Sequence, residues 1–275
     1  MTTSNNIIKL LESRQWDKII QDISEIAKTL EIDFFIIGAA ARDIGMNGDT
    51  RFRTTNDIDF AVSITNKNKF YELKKILCTE FGYQEDSEYK LLHPIYGELD
   101  LVPFGEMRIN YNQVAAIALN EEGLQEVAEA GLRTIEITPG NSIKVASLAA
   151  VTLLKLISWD DQKDNRGKDA EDINAIIEAY FDLHRDEIFD NHYDLFPNDE
   201  KDYELSTIGA QVLGRHIGQI LKGKTRLTKQ VQRILTEQTT TENRLARRMI
   251  KTEKDNIDSK QYYLTLLKNG IEEGL

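Results

Sequence analysis

Two aspartates that alternate with apolar residues are the strongest candidates for chemistry in this sequence. Asp57 and Asp59 stand in the segment TNDIDFAV, residues 55–62. In a strand, positions i and i+2 point to the same face, so the two carboxylates are predicted to lie side by side while Ile58 and Phe60 pack behind them. Adjacent carboxylates repel each other unless a cation lies between them, and such oxygen ligands suit Mg²⁺ or Mn²⁺. The pattern indicates a metal site of the kind that serves phosphoryl transfer.

A third carboxylate is expected from a separate short strand near 97–103, which contains Glu98-Leu99-Asp100. Pairing of neighbouring strands would bring this segment beside the first pair. Glu98 and Asp100 share one face, and the spacing alone does not choose between them. Three carboxylates suffice for nucleotidyl transfer, because two hold metal ions and the third can accept the proton of an acceptor hydroxyl. The plain alternative is a solvated strand face on an acidic protein.

The element before these strands is a short apolar run, residues 32–37, that ends at Gly38 and leads into a helix of small residues. Gly38 is open to two interpretations. It either makes a helix-entry turn or lets backbone N–H groups approach a phosphate at the helix N-terminus. Arg42 can likewise pair with phosphate, or form a salt bridge with a neighbouring aspartate such as Asp43 or Asp57.

A second cluster of charged residues lies between 155 and 172. Lys155 follows an apolar helical run, where a lysine commonly extends its ammonium group to the surface. Lys168, Asp169 and Asp172 follow at helical spacing, so the two aspartates share one helix face. An acidic first turn also stabilises a helix through its dipole, so a capping role alone would account for them.

Hydrophobic periodicity predicts an α+β chain, in which strands and helices come first and helices alone follow. The boundary is expected near 145, giving domains 1–145 and 146–275. The predicted strands cover 32–37, 57–64, 88–93, 97–103 and a hairpin, 133–138 with 142–145, around Pro139-Gly140-Asn141. The predicted helices cover 16–30, a short segment from 38, 66–81, 146–158, 169–181, 203–222, 226–238, 242–252 and 258–272, with a loop at 190–202.

Composition narrows the class of protein. The 275 residues are 41% hydrophobic and 29% charged, and they contain no apolar run long enough for a membrane span. The N-terminus lacks the layout of a secretory signal, and Cys78 is the only cysteine, so a cytoplasmic protein without an internal disulfide is expected. The four histidines show no metal-ligand spacing, so no zinc site is expected.

Charge is distributed unevenly along the chain. The net charge is −12, yet residues 215–254 carry eleven Lys/Arg against three Glu, about +8, which leaves about −20 elsewhere. Four basic residues of this segment lie at i, i+3, i+4 and i+7 of a predicted helix: Arg244, Arg247, Arg248 and Lys251. This face is either a solvated, salt-bridged helix surface or a track for the phosphates of an RNA.

Five segments in this order resemble the nucleotidyltransferase superfamily with the polymerase-beta-like fold. The likeness is greatest to predicted bacterial nucleotidyltransferases related to abortive-infection (AbiEii-type) toxins. It spans about half of the chain. The segments are GAAARD (38–43), TNDIDFAV (55–62), LDLVPFG (99–105), Lys155-Leu156 with Trp159, and KDAED (168–172).

The resemblance implies roles for individual residues. It implies that Asp57, Asp59 and Asp100 are catalytic and bind Mg²⁺ or Mn²⁺, which favours Asp100 over Glu98. The residues implied to bind the nucleotide are Gly38, Ala39, Arg42, Lys155, Lys168, Asp169 and Asp172. Ala39 departs from the superfamily's usual Gly or Ser after the glycine, so a serine contact to phosphate is missing.

As an enzyme, the protein would move a nucleoside monophosphate from an NTP to a hydroxyl of RNA, protein or a small molecule, with a helical domain closing the cleft. A toxin role in a toxin–antitoxin or phage-defence system, with an antitoxin protein as partner, is implied as well. Two other hypotheses stay open. One is a non-catalytic nucleotide-binding or antitoxin-like module. The other is a partner-docking bundle at 203–272 beside a merely solvated acidic face.

Overall fold

The computed structural model describes residues 2–48, 55–105, 123–138, 140–161, 166–197, 204–240, 243–252 and 255–275. The chain divides into two compact units. The first contains residues 1–128 and 132–147, and the second contains 129–131 and 148–275.

The first unit is built on a mixed sheet of seven strands within the described residues. In chain order they are β1 Phe34–Ile37, β2 Ile58–Ile64, β3 Gln84–Glu85, β4 Lys90–His93, β5 Gly97–Gly105, β6 Leu132–Thr138 and β7 Asn141–Ala146. Their spatial order is β3-β4-β5-β2-β1-β7-β6. The central strand β2 is antiparallel to β1 and parallel to β5. Strand β1 in turn runs parallel to β7.

Alternation of buried and half-buried residues sets the orientation of the two central strands. Ile58 and Phe60 on β2 are fully buried, as are Leu99 and Leu101 on β5. The polar residues between them therefore lie on the opposite face of the sheet. A slip of one residue would bury charges and expose the apolar set, so the hydrophobic pattern fixes this register.

Helices cover the sheet within the first unit. They are α1 Thr2–Ser13, α2 Trp16–Leu30, α3 Gly38–Gly45, α4 Lys67–Glu80 and α5 Leu124–Ala130, the last of which has its final two residues in the second unit. Helix α4 begins at an N-cap, Asn66, whose side chain accepts a hydrogen bond from the Lys69 N–H at 3.1 Å. It buries Phe70, Leu73 and Leu77 at helical spacing.

The second unit contains helices and one 3-10 turn, Tyr193–Leu195, among its described residues. The helices are α6 Leu148–Asp161, α7 Gly167–Leu183, α8 Arg185–Asn191, α9 Leu205–Leu221, α10 Thr225–Thr240, α11 Arg244–Met249 and α12 Ile257–Gly274. Helix α6 is buried on all sides from Leu148 to Trp159, which is typical of the central helix of a bundle.

Two glycine pairs let α9 and α12 touch through their backbones. A Cβ added to Gly214 would lie 2.9 Å from the Cα of Gly270, and one added to Gly218 would lie 2.8 Å from the Cα of Gly274. Real Cβ atoms do not approach other heavy atoms so closely. This helix pair therefore depends on residues without side chains.

The predicted α+β class is confirmed, with a mixed sheet flanked by helices and a C-terminal helical part. The predicted strands and helices occur within a few residues of their expected bounds. The elements that the sequence did not predict are α1, α5, α8 and β3. Pro139 of the predicted hairpin turn, residues 198–202 of the predicted loop and residue 203 of the following predicted helix lie outside the described residues. No helix in the described part of the chain combines the length and apolarity needed to cross a membrane.

Candidate active site

The central strands bring two of the predicted carboxylates into direct register. Asp59 on β2 pairs with Asp100 on β5 across the parallel ladder. Asp57 immediately precedes β2 and, by the two-residue alternation, belongs to the same face as Asp59. All three aspartates are half-buried. Carboxylates from separate stretches of the chain therefore meet on one face of the sheet, as the sequence predicted for Asp57, Asp59 and Asp100.

The pKa of the Asp100 carboxyl is strongly raised. Burial raises the pKa of its carboxyl from 3.8 to about 6, although Lys90 lowers it. The negative charges of Asp57 and Glu98 act in the same direction as burial. Its Oδ1 atom is buried and has no hydrogen-bond partner among the described residues. Crowding of like charge, together with an unsatisfied oxygen, makes this a position that a cation would stabilise.

Glu98 and Asp100 were the two candidates for the third carboxylate, and their contacts with Lys90 differ. Its ammonium group donates to Glu98 Oε2 at 2.7 Å, and Lys90 pairs with Asp100 across β4 and β5. Glu98 is thus engaged in an ion pair, whereas Asp100 lies beside Asp59. Sequence reasoning missed Lys90. The short connection 94–96 between two predicted strands was the available signal, because a tight hairpin fixes which residues face each other.

Gly38 lies against the carboxylate of Asp59. Its φ of +66° is in the left-handed region, which glycine adopts more readily than other residues. A Cβ at this position would overlap the Asp59 carboxylate, with only 2.9 Å to its Cγ. The glycine therefore serves the helix-entry turn and, in addition, provides the space that the metal-binding candidate occupies.

Arg42 forms a salt bridge with Asp43, which is one of the two interpretations that the sequence left open. Its side chain is fully buried, and its Nε donates to Asp43 Oδ1 at 2.8 Å. A guanidinium group with no exposed surface is better placed to hold α3 than to bind a ligand. The contact of Arg42 and Ala39 with a nucleotide remains a prediction.

Residues near the N-terminus hold the backbone next to Asp57. Trp16 is fully buried, and its indole Nε1 donates to the Asn56 carbonyl at 3.1 Å. Arg14 Nη1 donates to the Asn56 side-chain oxygen at 2.5 Å. These positioning contacts span some forty residues of sequence, and no local pattern could have predicted them.

The donor chemistry of Asp57, Asp59 and Asp100 suits a divalent cation such as Mg²⁺ or Mn²⁺, although their oxygens do not form a ready-made three-ligand group among the described residues. Asp57, Asp59 and Asp100 supply hard oxygen donors only, and one of these oxygens is buried without a partner in the described residues. Among the described residues, Lys90 is a positive charge close to Asp100, and its ammonium hydrogen-bonds to Glu98. The donor set thus retains negative charge for a metal ion.

The second predicted cluster lies in the helical unit, where Lys155 joins both aspartates. Its Nζ is 2.7 Å from Asp169 Oδ1 and 2.8 Å from Asp172 Oδ2. All three residues are buried, so the expectation that Lys155 extends to the surface is wrong. Burial alone would lower the pKa of the ammonium group, but the two carboxylates raise it. Lys168 is exposed, and the nucleotide role of this cluster remains a prediction.

The predicted helix with a basic face, residues 242–252, is found in part. Arg244, Arg247 and Arg248 belong to α11 and are exposed. Lys251 does not belong to this helix, because the chain is extended at Ile250. The Asp255 side chain then accepts from the Lys251 N–H at 2.9 Å. The predicted helix over 242–252 is therefore too long.

Comparison with known proteins gives limited likenesses. No protein-family model matches the chain, and no curated protein matches it in sequence. One similar solved structure is an antigenic nucleotidyltransferase-like protein from Paracoccidioides brasiliensis. It is 18% identical over 64% of this chain and 88% of that chain, with a TM-score of 0.39. Another is the antibiotic-resistance factor ANT(2'')-Ia, 17% identical over 64% of this chain and 92% of that chain, also with a TM-score of 0.39. At these values the likeness carries no weight for function, which must be judged from the chain's own residues.

Proposed function

We propose that the protein is a metal-dependent nucleotidyltransferase that moves a nucleoside monophosphate from an NTP to an acceptor hydroxyl. The observation that carries this proposal is the register of Asp59 with Asp100, with Asp57 two positions before Asp59 on the same face. In the reaction, the acceptor oxygen forms a bond to the α-phosphorus while the bond to the bridging oxygen of pyrophosphate breaks.

Each residue of the site has its own role in the proposed reaction. Asp57 and Asp59 would hold divalent cations, which when bound offset the charge of the triphosphate and of the leaving pyrophosphate. Asp100 would supply a further oxygen ligand to one of these cations and would accept the proton of the attacking hydroxyl. Gly38 would keep the Asp59 carboxylate accessible to the ligand side of the sheet.

The acceptor and the biological role are finer parts of the proposal. The exposed arginines of α11 support an RNA acceptor, because nucleic-acid affinity comes largely from neutralised phosphates. The toxin role and an antitoxin partner rest on the sequence resemblance alone. Without a hydroxyl at Ala39, phosphate binding would depend on backbone groups and basic side chains.

The decisive experiment follows label from each α-³²P-labelled NTP, with Mg²⁺ or Mn²⁺, into total cellular RNA and protein. Wild type is expected to transfer label, and Asp59→Asn is expected to reduce transfer at least a hundredfold while remaining folded. Asp33→Asn is the matched control, because Asp33 is exposed in the same unit and pairs with Lys144 at 3.5 Å. Undiminished transfer by Asp59→Asn would exclude the proposed role. Tight NTP binding by wild type without transfer would instead establish the non-catalytic nucleotide-binding module.

A further inference from the structure

The helical unit contains a second group of metal-ligating side chains, separate from the carboxylate cluster. One ligand atom each from Glu187, His192 and His216 lie within 4.8 Å of one another. The expectation that the histidines form no cluster is therefore wrong. Glu187 belongs to α8, His192 follows its last turn, and His216 lies on α9. Sequence spacing could not show this set, because its members come together only when the helices pack.

His216 is already oriented by two partners. Its Nε2 is 2.9 Å from Glu187 Oε1, and its Nδ1 is 2.6 Å from the hydroxyl of Tyr180. With Nε2 on a metal ion, the ring proton would sit on Nδ1 and the Tyr180 oxygen would accept it. Metal-bound histidines commonly have such a partner on the other ring nitrogen, which fixes the ring and its tautomer.

The charges around His192 also favour a cation. The ring is buried, and its Nδ1 is 3.0 Å from Arg215 Nη1. Arg215 is itself engaged by Asp194, at 2.9 Å, and by Glu273, at 2.6 Å. Together with Glu187, this network has three carboxylates against one guanidinium group. The excess of two negative charges is the amount that one divalent ion neutralises.

We propose that Glu187, His192 and His216 form a binding site for a divalent transition-metal ion, with Zn²⁺ as the preferred type. Imidazole ligands favour Zn²⁺ over hard ions such as Mg²⁺, and two histidines with one glutamate leave a fourth position for water. The ion would tie the end of α8 to α9. This site is independent of the proposed transferase activity, because it lies in the other unit and shares no residue with the carboxylate cluster.

Titration of the EDTA-treated full chain with Co²⁺ and Zn²⁺ tests the proposal. Measurements in the Asp59→Asn background reduce any contribution from the carboxylate cluster, which then lacks one of its three carboxylates. Co²⁺ is expected to give the intense visible absorption of a four-coordinate ion, and Zn²⁺ to displace it. His216→Gln and Glu187→Gln are each expected to weaken Zn²⁺ binding at least about tenfold. Matched controls are His184→Gln, whose ring centroid is 6.1 Å from that of His216, and Glu129→Gln, whose carboxylate pairs with Lys224.

Long-range ¹H–¹⁵N spectra of the imidazole rings give a readout that a purely structural role would not move. On addition of Zn²⁺, His216 is expected to change to the Nδ1–H tautomer, while His93 in the other unit stays unchanged. Circular dichroism in EDTA checks that each variant is folded. Should His216→Gln unfold, Glu187→Gln decides the question, because the Glu187 side chain is 41% exposed. Zn²⁺ affinity that is the same in the folded ligand variants, the controls and the parent would overturn the proposal.

Discussion

At the scale of single residues, the sequence predicted where the candidate carboxylates lie and missed the residues that surround them. Alternation of polar and apolar residues was enough to place Asp57 and Asp59 on one face, because a strand permits only two faces. Lys90 and Trp16 could not be assigned roles in the same way. Their contacts with Glu98 and Asn56 depend on how strands and helices pair across the unit.

The raised pKa of Asp100 leads to a prediction on stability. In EDTA, Asp100→Asn is expected to raise the free energy of unfolding by about 1–2 kcal/mol at pH 7.5, after allowance for partial solvent screening. The folded state disfavours the ionised form of the Asp100 carboxyl, whose pKa is about 6. The gain in the free energy of unfolding from Asp100→Asn should therefore be small near pH 4, grow as the pH rises to about 6, and stay constant above that pH. Urea denaturation of the variant and of wild type at several pH values measures this difference in the free energy of unfolding.

Addition of Mg²⁺ provides the control for this effect. The ion is expected to stabilise wild type and to have much less effect on Asp100→Asn, because the variant lacks one donor. A variant that is less stable than wild type across the whole pH range would contradict the crowding of carboxylates around Asp100.

The buried ion pairs of Lys155 lead to a second prediction. Lys155→Met is expected to lower the free energy of unfolding by about 3–5 kcal/mol, because two buried carboxylates lose the ammonium group that they share. Lys168→Met is the matched control and should change it by less than about 0.5 kcal/mol, since Lys168 is exposed on the first turn of α7. Denaturation by urea compares the two. Equal stability of both variants would refute a structural role for Lys155 and leave only the ligand-binding one.

At the scale of elements, long periodic segments were predictable and short or non-local features were not. Helix α2 and strand β2 carry clear periods of 3.6 and 2 residues, and both were found within a residue of their expected bounds. Helix α8 was missed because it has seven residues and buries only Ile188. The parallel pairing of β2 with β5 was also beyond local pattern, since it joins strands separated by α4 and two further strands.

The contact between α9 and α12 predicts a strong effect of a very small substitution. Gly214→Ala is expected to lower the free energy of unfolding by about 2–3 kcal/mol, because the new Cβ would lie 2.9 Å from both Gly270 Cα and Ile271 N. The matched control is Gln219→Ala, an exposed position on the same helix, which should be neutral or slightly stabilising. Thermal unfolding of both variants measures the difference. An unchanged melting temperature for Gly214→Ala would mean that the two backbones are not in contact.

At the scale of the whole molecule, positive charge is concentrated in one segment of the helical unit. The chain as a whole is acidic, with a net charge of −12, while its basic segment belongs to the helical unit. Composition predicted an acidic protein with a local basic surface, but it could not say which part of that surface is accessible. The structure shows that the arginines of α11 are exposed. A localised surface of this kind suits one anionic partner better than general coating of nucleic acid.

Salt dependence of RNA binding tests this surface. Neutralising its four basic residues should weaken binding and reduce the slope of log K against log salt by up to about 3, since each single-strand phosphate contact contributes about 0.7. The residues are Arg244, Arg247, Arg248 and Lys251. A control variant removes the same charge from exposed lysines of the first unit: Lys18, Lys28, Lys75 and Lys144. An identical slope in both variants would confine the acceptor to protein or small molecules.

The close backbone contact between α9 and α12 also affects folding during translation. During translation, α9 leaves the ribosome well before α12, because α10 and α11 lie between them. Until α12 emerges, the face of α9 around Gly214 and Gly218 has no backbone to pack against. A nascent chain paused at this stage is expected to be captured by chaperones and cleaved by proteases more readily than the finished protein.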